Sequence, residues 1–243
     1  MVVKGSASHG RPSGWGLEEL ARLRTGVYGV LSMAFLPPEA HRLRLLGDFA
    51  RSLERQAAML AELAFYGPWR ELLTALTPSL LRDAHLPEEY VRVFCLNSDG
   101  PVCFPYESAY LTASGDAPGL LIAEVVRYYA TAGLDIAPDA HESPDHVSVE
   151  LEFMAHLCAT EAEAWEARAF DVALHALGQE RDFLHHHLGQ WLSTFARAVG
   201  RVTTHPLYRA VSEIADVFVH HDRDLVDQLL RQLSQSASSP AAD

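Results

Sequence analysis

Lysine is nearly missing from this chain. Lys4 is the only one, and arginine supplies the remainder of the 19 basic residues. Against 32 acidic residues the formal charge is -13, which argues against nucleic acid as a partner and for attraction of a basic peptide or protein segment. Cysteine is scarce too. Cys95, Cys103 and Cys158 are odd in number and form no C-x-x-C, which excludes a disulfide scaffold or zinc ribbon and fits a reducing compartment. No apolar run approaches the roughly 18 residues a membrane helix needs. The opening stretch, MVVKGSASHGRPSGWG, has no apolar core or cleavage pattern. The expectation is a cytoplasmic protein, neither exported by a signal peptide nor stably associated with a membrane. Also missing are G-x-x-x-x-G-K, G-x-G-x-x-G, G-x-S-x-G and H-E-x-x-H, so phosphate loops, dinucleotide folds, hydrolase elbows and zincin helices find no support. No segment alternates with period two for long, and no repeat of 20–50 residues is visible.

What is present is helical periodicity in a chain of 243 residues, 49% of them apolar, enough for a sizeable core. Leu17, Leu20, Val27, Tyr28, Leu31 and Phe35 share one face, and Pro37-Pro38 ends that helix. A long pattern over 43–63 follows, then a short helix from Trp69 and another over 86–96. Residues 97–111 form the longest irregular stretch, yet it is rich in aromatic residues, as expected of a loop packed onto the domain. A helix opens at Pro118 and closes at Gly133. In the next, Ser143 is read as the cap, Pro144 as the first helical residue and Asp145 as a first-turn anion, ahead of the stripe Val147, Leu151, Met154 and Cys158. Thr160 and Glu163 read as a capping box for a further helix that Gly178 closes. One helix spans 179–199, and a last one starts near Pro206. The fold expectation is all-α: one globular domain of nine or ten helices over 16–233, between a flexible segment at 1–15 and a disordered tail at 234–243.

Thirteen histidines oblige a test for metal. His185-His186-His187 cannot share an ion, because successive helical residues point about 100° apart. His187 falls near the apolar stripe and its neighbours point outward. Glu142/His146 and Glu152/His156 are spaced i, i+4, but the Glu-x-x-His pairs of a di-iron bundle do not occur. No native metal or cofactor is expected. A Ser108, Glu107, His146 triad can be imagined, and a helical metal-dependent or hydrolytic enzyme is the alternative function.

The stronger signal is an ordered set of short motifs. Glu89-Tyr90-x-Arg92-x-Phe94 precedes the aromatic loop, and Pro105-Tyr106-Glu107-Ser108-x-Tyr110-Leu111 lies within it. Pro144-Asp145-His146 then leads into Glu150-Leu151-x-Phe153-Met154, and Gln179-x-x-x-Phe183-Leu184 precedes His187-Leu188 and Trp191. This set resembles the TorD/DmsD family of redox-enzyme maturation chaperones, over about residues 17–230.

The resemblance implies an all-helical cytoplasmic protein that is not an enzyme. It would bind the twin-arginine signal peptide, and the apo catalytic subunit, of a dimethyl-sulfoxide-reductase-type molybdoenzyme, holding it from export until its cofactor is loaded. The peptide-binding residues it implies are Tyr106, Glu107, Ser108, Tyr110, Pro144, Asp145 and His146, with Glu89, Tyr90 and Trp69 nearby. A monomer is expected, with a helix-swapped dimer as the alternative. Direct binding of molybdopterin or a nucleotide is a lesser reading, since no phosphate-cradling pattern exists.

Paired guanidinium groups followed by an apolar stretch call for carboxylates beside an apolar groove. Glu107 and Asp145 are the candidate carboxylates; Tyr106, Tyr110 and Trp69 are candidate walls. Each has a structural alternative: Glu107 bracing the loop, Asp145 serving its helix, His146 bonding a backbone carbonyl, Tyr110 sitting in the core. Direct contact would make Asp145→Ala weaken leader binding by roughly 1–3 kcal/mol without unfolding the protein.

Overall fold

The computed structural model describes residues 16–77, 79, 83, 85–95, 103–112, 118–137 and 142–238. Among the described residues the architecture is all-α. The elements are α1 Leu17–Ala34, α2 Ala40–Gln56, a 3-10 turn Ala58–Glu62, α3 Tyr66–Ala75, α4 His85–Phe94, α5 Ser108–Leu111, α6 Gly119–Thr131, α7 Val147–Glu166, α8 Phe170–His186, α9 Leu188–Val202 and α10 Pro206–Ser238.

α7 is the centre. Its stripe Val147, Leu151, Met154 and Cys158 is fully buried, and so are Phe153 and Leu157 beside it. A helix buried on more than one side needs neighbours on each. α1 packs along one side of α7 and α8 along another, while α10 lies against α3, α8 and α9. Aromatic rings fill the seams. Phe35, which caps the end of α1, meets Phe195 of α9 at 5.3 Å between centroids, and Phe94 of α4 meets Tyr208 of α10 at the same separation.

Beneath these apolar layers lies a buried ionic knot. Arg24 of α1 reaches Glu161 of α7 at 2.7 Å, Asp222 of α10 at 2.5 Å, and Glu180 of α8. Tyr28 adds its hydroxyl to Asp222 at 2.6 Å. One guanidinium thereby fixes the mutual position of four helices.

Several expected boundaries move. The long pattern over 43–63 breaks at Ala57 (φ -109°, ψ 84°) and continues as the 3-10 turn. Thr160 caps nothing; its hydroxyl donates to the His156 carbonyl at 3.1 Å, and α7 runs on to Glu166. That helix ends in a Schellman closure, Ala169 N–H to Ala164 O at 2.8 Å and Arg168 N–H to Trp165 O at 3.1 Å, with Arg168 left-handed at φ 56°. Gly178 lies inside α8 rather than at its end. The helix expected over 179–199 is two helices, parted at His187 (φ -129°, ψ -103°). Gly189 permits this tight junction, because a Cβ there would collide with the Leu184 carbonyl oxygen. α10 continues to Ser238, so the boundary placed after 233 falls inside it. The segments 1–15 and 239–243 lie outside the described residues.

Candidate functional site

The Pro144-Asp145-His146 corner and the aromatic loop meet. Tyr106 and His146 form an antiparallel bridge, closed by Glu107 N–H to Asp145 O at 2.9 Å and Val147 N–H to Pro105 O at 2.8 Å. α7 begins one turn later than its sequence signals imply. Ser143 Oγ donates to Asp145 Oδ1 at 2.6 Å instead of capping the helix, and His146 N–H closes a turn on Ser143 O at 2.9 Å. The cap is His146. Its Nδ1 accepts from Ser148 N–H at 3.2 Å and lies 2.7 Å from Ser148 Oγ. An accepting Nδ1 is unprotonated, and burial lowers the imidazole pKa to about 4.

Asp145 is 1% exposed and Glu107 0%. Asp145 Oδ2 accepts from Ser108 N–H at 3.2 Å. Glu107 faces His187 Nδ1, at 3.0 and 3.1 Å from its two oxygens. Behind it Glu150, also fully buried, accepts from Trp191 Nε1 at 3.0 Å. Burial first, then the charge of Glu107, push the Glu150 carboxyl well above its usual range. His187 Nε2 and Glu150 Oε1 are buried with no hydrogen-bond partner. This chain of groups pins the aromatic loop to the α8–α9 break and to the start of α7.

The geometry corrects the expected contacts. Glu107, Asp145 and His146 come together as anticipated, but they point inward and offer no open carboxylate edge to a guanidinium. The imagined triad does not form, because Glu107 is taken by His187 and His146 Nδ1 by Ser148. Tyr106, Ser108, Tyr110 and Pro144 are partly exposed at the same corner, with Tyr110 tilted against Trp191 at 5.4 Å. Glu89 lies elsewhere. It is clamped by Arg92 at 2.7 Å and Thr203 Oγ1 at 2.7 Å, contacts that hold its pKa at about 2 and tie α4 to the α9–α10 connection. Tyr90 is buried against Phe94 and Tyr208. Trp69 is wholly buried, its Nε1 unpartnered, so it is core and not a groove wall.

Open space lies on the other side of the corner. A groove of 420 Å³ runs between the end of α1, Tyr129 of α6, the stretch 134–137 and the exposed side of α7. Its apolar wall includes Leu36, Leu134, Ile136, Val149 and Phe153; its charged rim is Asp135, Glu142 and Glu152. The corner shapes it directly. Glu142 Oε2 stands 3.7 Å from His146 Nε2, Ser148 and Ser32 of the floor are joined by a 2.9 Å bond, and Tyr129 donates to Pro144 O at 2.7 Å. Among the described residues no group of three or more His, Cys, Asp or Glu is placed to hold a metal ion.

The family model described as "Nitrate reductase delta subunit" matches residues 55–197, more than half of the chain. The chain belongs to the nitrate reductase delta subunit family. Its relatives include the chaperone protein TorD of Vibrio cholerae O395, 29% identical over 154 residues, 62% of this chain and 67% of that one. The chlorate reductase assembly chaperone protein of Ideonella dechloratans is 33% identical over 142 residues (56% and 69%). The selenate reductase assembly chaperone protein of Thauera selenatis is 32% identical over 133 residues (54% and 66%). A crystal structure described as a putative redox enzyme maturation protein from Archaeoglobus fulgidus shares the fold at a TM-score of 0.51 and 20% identity, over 86% of this chain and 99% of that one. The resemblance to TorD-type chaperones therefore holds, and these relatives are named as chaperones rather than catalysts.

The span that matches the family carries both the inward corner and most of the groove. Sequence reasoning placed the corner but missed Asp135 and the pairing of Glu107 with His187. The i, i+4 spacings of Glu142 with His146 and Glu152 with His156 were the available signal for the groove, since each puts a carboxylate one turn from the corner or on the same helix face. Asp135 had no signal, because nothing in its neighbourhood is periodic.

Proposed function

We propose that this protein is a cytoplasmic maturation chaperone for a dimethyl-sulfoxide-reductase-type molybdoenzyme. It binds the apo catalytic subunit and its twin-arginine leader, assists cofactor insertion and delays export until that is complete. One observation carries this reading: membership of the family over residues 55–197, with relatives named as assembly chaperones of chlorate and selenate reductases. The charge of -13 supports it, because an acidic surface speeds encounter with a cationic leader and makes that encounter salt-sensitive. No helix among the described residues is long and apolar enough to cross a membrane.

Deletion of the gene in the native organism tests the proposal. The expected result is a molybdoreductase whose catalytic subunit accumulates with little molybdenum and little activity, restored by the gene in trans. Full molybdenum occupancy of every such reductase in the deletion strain would refute it. The protein is expected to act as a monomer, and light scattering should return the mass of one 26.8 kDa chain.

A further inference from the structure

The carboxylates expected to meet a leader are spent inside the corner, so the question is which surface is left to meet one. Three other hollows among the described residues are mixed in sign. The one between α9 and α10 sets Arg197 and Arg209 against Glu213 and Asp216. The one beside α3 sets Arg70 and Arg209 against Glu71, and the one beside α8 sets Arg181 and Arg231 against Asp227. The groove behind the corner differs. Among the described residues its rim holds Asp135, Glu142 and Glu152 with no lysine or arginine, and the other ionisable groups lining it are Tyr129 and His156. Asp135 and Glu152 are exposed and have no ion-pair partner among the described residues. Glu142 stands 3.7 Å from the Nε2 of a neutral imidazole and has no Lys or Arg ion-pair partner among the described residues.

We infer that this groove is the docking site for an arginine-bearing, partly apolar peptide segment, with a guanidinium held between Glu142 and Glu152 and the following apolar residues laid on Val149, Phe153 and Ile136. The inference rests on the proposed function and names the surface that performs its leader-binding step. Several features converge. A volume of 420 Å³ lies in the range of ligand sites and admits a few side chains of a peptide. Glu152 and Val149 stand one turn apart or less on α7, so charge and apolar wall share one rigid helix. Two carboxylates beside an apolar wall suit arginine better than lysine, because the guanidinium is the less hydrated cation and takes carboxylates with a planar fork. In this arrangement Asp145 and His146 are positioning residues. His146 sets Glu142 and Ser148 from behind, Asp145 holds the corner through Ser108 and Ser143, and neither touches the peptide.

The test is titration calorimetry with a synthetic twin-arginine leader peptide and the full chain. The expected result is binding to the wild type, weakening of about tenfold or more in the double variant Glu142→Gln/Glu152→Gln, and no change in Glu213→Gln at the mixed-sign hollow. Replacing the leader arginines by lysine should weaken binding to the wild type and have little effect on the double variant. Both glutamates are at least partly exposed, so the isosteric amides should leave circular dichroism and Tm unchanged. Val149→Trp, which fills the groove without altering charge, should weaken binding as well. A leader that binds the wild type and the double variant equally overturns this inference and leaves the chaperone reading intact. A leader that binds neither removes the leader-binding step from the proposed function and this inference with it. A dimer that the double variant abolishes would assign the groove to a second copy of the chain and also overturn it.

Discussion

A buried imidazole that caps a helix must leave its capping nitrogen unprotonated, and this gives His146 a pH signature. Burial lowers its pKa to about 4, against roughly 6.5 in an unfolded chain. Between those values the unfolded state binds the extra proton. The stability His146 contributes is therefore complete above pH ~6.5 and is lost as pH falls toward 4, by at most about 3 kcal/mol. Tm should drop between pH 7 and pH 4.5, and His146→Asn, which keeps a capping acceptor, should flatten that slope. An unaltered slope in the variant would place the acid sensitivity elsewhere. Asp145 belongs to the same corner, and its outcome is now the reverse of a simple contact residue. Asp145→Ala removes the acceptor for Ser108 N–H and Ser143 Oγ, so it should cost about 1–3 kcal/mol in urea unfolding. Leader binding should then fall only as far as the corner loosens. The motif made the chemistry of these residues legible, but not the direction in which they point. Inward or outward is decided by His187, eighty positions from Glu107 in the chain, and short-range spacing carries no information about that partner.

Helical faces were readable because their apolar positions recur with the helical period, and α1, α6, α7 and the start of α10 follow it closely. Boundaries were not readable where a local signal competed with packing. Thr160-x-x-Glu163 has the letters of a capping box, yet burial of Leu157, Cys158 and Ala162 against neighbouring helices carries α7 straight through it. Gly178 looks like a stop but meets no obstacle in α8. A Cβ built there has nothing within 4 Å. Gly178→Ala should thus stabilise the protein by about 0.5–1 kcal/mol, seen as a rise in Tm, because alanine removes the backbone entropy penalty of glycine without a clash. Gly189 is the opposite case. The close approach of Leu184 O makes the α8–α9 junction dependent on the missing side chain, and that junction is what delivers His187 to Glu107.

At the scale of the whole molecule the ionic knot at Arg24 decides how α1, α7, α8 and α10 sit together, and α1 and α7 are two of the helices that border the groove. Its charges do not balance if every member ionises: one guanidinium faces Glu161, Glu180 and Asp222. Burial reduces the excess by raising the Glu180 pKa to about 8, only partly opposed by Arg24, so that Glu180 is mostly protonated at neutral pH; it pushes the Glu161 carboxyl up as well. Two unequal outcomes follow. Arg24→Met leaves buried carboxylates without their cation and should cost about 3–5 kcal/mol, much of the stability of an ordinary domain. Glu180→Gln replaces a carboxyl that is already neutral and should shift stability by less than about 1 kcal/mol at pH 7. The sign at higher pH distinguishes this account from a plain salt bridge. A carboxyl whose folded pKa is raised contributes stability that is complete below its unfolded value, near 4.5, and is lost as pH rises through about 8. Urea unfolding at pH 9 should therefore find the glutamine variant gaining on the wild type. A conventional ion pair would make the same substitution most harmful there, because Glu180 would be fully charged against Arg24.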